Sequence, residues 1–179
     1  MNMSPVIRLV CRNAFKNLQL CNRNMESILI PRERAGIINK KVIEKIKDEL
    51  GITIVKNRNV IELGGEGIEY LLARNIIMAI GRGFSPVRAY RLLDEEQELL
   101  ITELGNRAQR IRARLIGTNG KARKRIEWKT GVAISVLGKT VAIIGNWEEM
   151  NKARKAVEML INGTSHTYVY RWLDEVIGN

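Results

Sequence analysis

The chain has 179 residues, 45% of them hydrophobic, with a formal charge of +11 and a pI near 10.0. That length can bury one ordinary core or two small ones, and the charge exceeds what solubility requires, favouring a polyanionic partner such as nucleic acid or an acidic membrane surface. No run approaches the roughly 18 consecutive apolar residues of a membrane span, and two cysteines with one histidine, His166, leave no cluster of zinc-ligand spacing.

Residues 1–24 carry Arg8, Arg12, Lys16 and Arg23 without an acid, the first three along one helical face. Such a segment reads as an organelle presequence, a basic arm, a short docked helix or an upstream extension before a folded part that starts at Met25. Cys11 and Cys21 suit reduced thiols in a cytoplasmic protein. Next, "SILI" (27–30) has strand character. Val42, Ile46 and Leu50 recur at helical spacing before Gly51, a residue that ends helices by tolerating positive φ. "ITIVK" and "VIEL" around "NRN" predict a hairpin, and Ile68, Leu71, Leu72, Ile76, Ala79 and Ile80 mark one face of a long helix. The turn-rich "GRGFSP" (81–86) then predicts a linker, with a short helix from Pro86 to Leu93.

The same order returns 80 residues later. "ELLITEL" (98–104) predicts a strand, Asn106–Leu115 a helix, and a second helix runs to Thr130 and Gly131. "VAISV" and "TVAII" form a hairpin around Gly138, and Trp147, Met150, Ala153, Val157, Leu160 and Ile161 stripe a further helix. Shifting residues 37–80 by 80 positions aligns Asn39 with Asn119, Lys41 with Lys121, Ile46 with Ile126, Gly51 with Gly131 and Gly65 with Gly145, without a gap. Each copy reads strand, helix, helix, strand, strand, helix, which predicts an α+β fold of two tandem three-stranded sheets, each backed by three helices.

Between the two helices of the second copy lies Gly117-Thr118-Asn119-Gly120. Glycine permits positive φ and close backbone approach, and a following helix offers N–H groups and the positive end of its dipole, so the turn suits a phosphate. Lys121, Arg123, Lys124 and Arg125 follow it; Arg110 and Arg114 precede it. A lone GxxG also fits a tight helix–helix turn with a solvated basic face. Walker A spacing fails, because Leu115 stands where its first glycine belongs and Ala122 where Ser or Thr belongs. In the first copy the turn reads Ile37-Ile38-Asn39-Lys40, with both glycines lost, which predicts a unit that supports the second or docks a protein. Trp128, Trp147 and Trp172 are expected to pack rather than to stack bases, and His166 to open a helix or pack.

The position of the GxxG turn resembles that of type I KH domains, whose loop clamps the backbone of about four single-stranded nucleotides. Two tandem units with GxxG only in the second, joined through "AIGRGFSPVRAYRLLD" (79–94) and accompanied by "GKTVAIIGNWEEMNKAR" (138–154) and "HTYVYRWLDE" (166–175), are similar to a narrower group. They resemble the archaeal KH-domain ribosome-assembly and rRNA-processing proteins, similar to the eukaryotic partner-of-Nob-one family, over residues 26–177. The expected organisation is a basic arm or extension (1–24), which the resemblance does not cover, a first KH-like domain (25–80), a linker with a short helix (81–94) and a second KH domain (95–179). The resemblance implies a protein without catalysis, cofactor or metal that grips single-stranded small-subunit rRNA near its 3′ end, beside the endonuclease that trims that end. Gly117, Thr118, Asn119, Gly120 and Lys121 carry over as the clamp; Arg110, Arg114, Arg123, Lys124 and Arg125 are added on charge and placement. The resemblance also implies an aliphatic floor for the bases from Leu115, Ile116 and the strand Val132–Val136. A general KH regulator of mRNA or an RNA-decay accessory subunit stays open as the alternative.

Overall fold

The computed structural model describes residues 25–177 and forms two compact units that part between Arg74 and Asn75. The expectations for residues 1–24, including Cys11 and Cys21, lie outside the described residues.

The first unit runs β1 (Glu26–Leu29), α1 (Arg32–Ala35), α2 (Lys40–Leu50), β2 (Thr53–Asn57) and β3 (Val60–Gly64), and then enters α3 (Gly67–Gly81). Gly51, at φ 65°, ends α2 by donating its N–H to the Lys47 carbonyl, the left-handed stop that its position predicts. The sheet is antiparallel in the order β1-β3-β2, with Ile28 opposite Ile61 and Ile54 opposite Leu63, all buried. Thr53, Val55 and Asn57 alternate with them on the exposed face. β1 is tied to α3 where the Glu26 carboxylate accepts from the Tyr70 hydroxyl and from Arg74 Nε; the Tyr70 bond, then Arg74, hold that carboxyl below its ordinary range.

The second unit repeats this order as β4 (Glu98–Glu103), α5 (Ala108–Ile116), α6 (Lys121–Thr130), β5 (Ala133–Leu137), β6 (Thr140–Gly145) and α7 (Trp147–Ile161). It adds α4 (Pro86–Ala89) with a 3-10 turn (Tyr90–Leu93) in front, and α8 (His166–Ile177) behind. The sheet order is β4-β6-β5, again antiparallel. Every residue of the central strand β6 is buried, so both faces of this sheet are covered. Val141 and Ile143 join the cluster formed with Leu115, Ile126, Ile134, Met150, Val157 and Leu160. On β5, Ser135 Oγ donates to the Arg82 carbonyl at 2.9 Å, holding the segment after α3 against the strand.

Helix α8 docks through Val169 and Leu173, one turn apart and both fully buried. Each such side chain contributes about 1.5–3 kcal/mol of burial, against about 0–1 kcal/mol for an exposed ion pair, so apolar packing places this helix and its surface charges follow.

The tryptophan expectation is corrected for two of three residues. Trp172 packs against the core, but Trp128 is 77% exposed and Trp147 65% exposed. Helix α6 buries Ala122, Ile126 and Thr130 at four-residue spacing, and Trp128, two positions beyond Ile126, is thereby turned to the opposite face. Trp147 opens α7 ahead of its buried stripe.

Candidate nucleic-acid interface

Helix α5 ends at Ile116, and the chain turns through Gly117 (φ 67°), Asn119 (φ 54°) and Gly120 (φ 75°) before α6 begins. Two backbone bonds shape the turn: Gly117 N–H donates to the Ala113 carbonyl (2.9 Å) and Gly120 N–H to the Gly117 carbonyl (3.2 Å). A side chain at Gly117 would place its Cβ 2.8 Å from Ala122 Cβ and 3.0 Å from Ala122 N, so this glycine is required by space as well as by φ. No side chain caps α6, no acid stands in its first turn, and Thr118 and Asn119 are exposed at its head. The positive end of the helix dipole therefore lies beneath the exposed Thr118 and Asn119, with Gly117 half-buried, Gly120 buried and the Lys121 N–H donating to the Thr118 carbonyl.

The cations divide into three groups. Arg110, Lys121 and Lys124 are exposed around the turn, with no ion pair or hydrogen bond among the described residues. Arg123 and Arg125 are engaged sideways: Arg123 Nε lies 3.7 Å from Glu127, while Arg125 pairs with Asp174 (3.3 Å) and lies 4.5 Å above the Tyr170 ring. Arg114 is half-buried, and its guanidinium donates to the carbonyls of Leu160 (3.1 Å), in the last turn of α7, and Thr164 (2.7 Å), in the loop before α8. The structure thus assigns Arg114 to holding the α7–α8 turn, because one charged side chain ties the end of the helix to the loop that follows it.

The implied aliphatic floor is also corrected. Leu115, Val132 and Ile134 are buried in the core cluster, and only Ile116 and Val136 remain half-exposed. Along the same strand, Glu127 Oε1 accepts from Ile134 N–H (2.8 Å) and from Arg88 (2.8 Å), and Gly83 is packed against Ser135 and Leu137. The chain's own segment 82–91 thus occupies part of the β5 edge.

Sequence reasoning missed the contribution of α8. His166 Nε2–H donates to the Arg114 carbonyl (2.9 Å), fixing the start of the helix as expected for a residue that opens it. Beside it opens a hollow of about 520 Å³ lined by Arg110, Arg114, Gly117, Lys121, His166 and Tyr170. Asp174, one turn beyond Tyr170, takes Lys129 (2.7 Å) and Arg125; the Lys129 hydrogen bond, then the two positive charges, hold its carboxyl below its ordinary range. The available signal was the amphipathic spacing of Val169 and Leu173 within "HTYVYRWLDE".

A three-stranded antiparallel sheet in the order β-α-α-β-β-α, with a glycine turn joining its first two helices, defines the type I KH domain. The profile of the second KH domain of PNO1, described as a eukaryotic type KH-domain (type I), matches residues 94–177. A KH domain-containing protein of Methanocaldococcus jannaschii is 36% identical over 168 residues, covering 86% of this chain and 74% of the relative. Dim2p from Pyrococcus horikoshii has the same architecture at 36% identity and a TM-score of 0.80, over 86% of this chain and 99% of that one. So does the Dim2p of the a/eIF2alpha–aDim2p–rRNA complex from the same organism, at 35% identity and a TM-score of 0.80, over 87% and 94%. The chain belongs to the PNO1/Dim2 family of KH-type RNA-binding proteins.

Proposed function

We propose that this protein is a noncatalytic assembly factor of the small ribosomal subunit, acting in the cytoplasm, which grips single-stranded rRNA near its 3′ end through the turn Gly117–Gly120. The observation that carries this reading is the uncapped head of α6 behind two positive-φ glycines, the first also restricted by space, with Arg110, Lys121 and Lys124 exposed around it and unpaired among the described residues. A related Dim2p in complex with rRNA and a/eIF2alpha supports both an rRNA ligand and a protein partner. The 3′-end endonuclease is a further proposed partner, and the first unit, which lacks the glycine pair, is the proposed docking side.

Replacing Thr118 and Asn119 with aspartates sets two negative charges against the phosphates and is expected to weaken RNA binding by roughly 100-fold or more, the loss of two charge-assisted contacts. Circular dichroism should be unchanged, since both residues are exposed. Unaltered affinity by fluorescence anisotropy would remove the clamp from this turn. Crosslinking and sequencing bound RNA in cells should return the 3′ end of small-subunit rRNA; reads spread over mRNA would favour a general KH regulator instead.

A further inference from the structure

The interface does not end at the glycine turn. Helix α6 carries Lys121, Lys124, Arg125 and Trp128 at successive turns of one side, leading away from Gly120. Trp128 lies seven residues past Lys121, which at ~1.5 Å per residue is about 10 Å along the axis. Trp128 is 77% exposed, and Lys129 Nζ lies over its ring, 5.0 Å from the centroid. Beside it is a second hollow of about 560 Å³, lined by Lys124, Arg125, Trp128, Lys129 and Asp174. The two hollows adjoin along the α6–α8 seam, where Arg125, which lines the second, covers the ring of Tyr170, which lines the first.

We propose that single-stranded RNA leaving the glycine turn follows this seam and stacks a base on Trp128, so that the second unit holds more nucleotides than the clamp alone. The occupant is RNA because of charge. Three cations line the second hollow, and its single acid, Asp174, is already neutralised by Lys129 and Arg125, leaving a net positive track continuous with the clamp. A tryptophan beside cations is also the platform that non-specific single-strand binders use, since every base offers a π face. This inference rests on the clamp reading.

The test uses the full chain and fluorescein-labelled RNAs of four and ten nucleotides from the 3′ end of small-subunit rRNA. Trp128→Ala should weaken binding of the ten-nucleotide RNA roughly 10-fold, within the range of one base–aromatic stack. It should leave the four-nucleotide RNA unaffected, and Trp128→Phe should restore most of the loss. In a variant with Trp147→Phe and Trp172→Phe, the remaining Trp128 emission should be quenched by the longer RNA only. If Trp128→Ala changes neither affinity while the Thr118/Asn119 aspartate variant abolishes both, the clamp stands and the platform is overturned, leaving Trp128 to a protein partner. If the aspartate variant changes neither, the clamp reading fails instead.

Discussion

The turn between α1 and α2 in the first unit is closed from within. Asn39 caps α2 by accepting from Val42 N–H (3.1 Å), Ile38 is fully buried beneath it, and Lys56 reaches from β2 to donate to the carbonyls of Ala35 (2.6 Å) and Ile38 (2.8 Å). The turn between α5 and α6 in the second unit is open. Asn119, 80 positions on, adopts φ 54° and caps nothing, and Val136 stands where Lys56 stood. A side-chain cap takes one of the free N–H groups of a helix head and the space in front of it, whereas an uncapped head leaves both to a ligand. The first unit therefore differs from the second by more than two missing glycines: a cap, a buried anchor and a cationic tether hold its turn shut.

The comparison breaks most sharply at Gly117. Gly117→Val should force Cβ onto Ala122, cost about 1–3 kcal/mol at a left-handed position, and remove RNA binding together with thermal stability. A variant with wild-type affinity and melting temperature would mean that the turn has no need of its glycine.

Two arginines of α5 that line the same hollow sharpen the second half. Arg114→Met should destabilise the second unit by about 1.5–3 kcal/mol, because the carbonyls of Leu160 and Thr164 lose a charged donor. Its salt dependence of RNA binding should be preserved. Arg110→Ala should do the reverse, leaving unfolding unchanged while the slope of log affinity against log salt falls by about 0.7, the share of one phosphate on a single strand. Equal slopes for wild type and Arg110→Ala would take that side chain off the RNA.

In the first unit, Lys56→Met should lower stability by about 1.5–3 kcal/mol on denaturant unfolding, with RNA affinity unchanged. Weakened RNA binding in this variant would show that the closed turn serves the interface after all.

The smallest effect concerns the α6–α8 seam. The folded-state pKa of Asp174 is depressed, so its contribution is present above the ordinary carboxylate value of 3.8 and is lost as pH falls below it. Asp174→Asn should therefore be slightly less stable than wild type at pH 7, the gap closing in strong acid and shrinking with salt. A gap that widens on acidification would contradict this assignment.

Much of this architecture was written in local pattern. Short β-branched runs and helical apolar spacing placed the six strands and the long helices, and Gly51 and Gly131 both stop helices at positive φ as their positions predict. The glycine pair marked the turn, since only a residue without Cβ fits 2.8 Å from Ala122. What local pattern could not carry was the partner of each polar group. Arg114 and Lys124 look alike as basic residues near a glycine turn, yet one is spent on carbonyls about fifty residues away and the other is exposed without a partner. Asn39 and Asn119 are the same residue in the same register, and only the conformation of their turns separates cap from loop. Trp128 was assigned to packing by its type, but Ala122, Ile126 and Thr130 took the inward face and left it outside. The sequence by itself determined the elements, their duplication and the one turn able to approach a phosphate, because these depend on backbone freedom and on the spacing of apolar residues along the chain. The tertiary structure alone decided which cations, carboxylates and rings face that turn, because such partners are set by distances between segments that no spacing along the chain records.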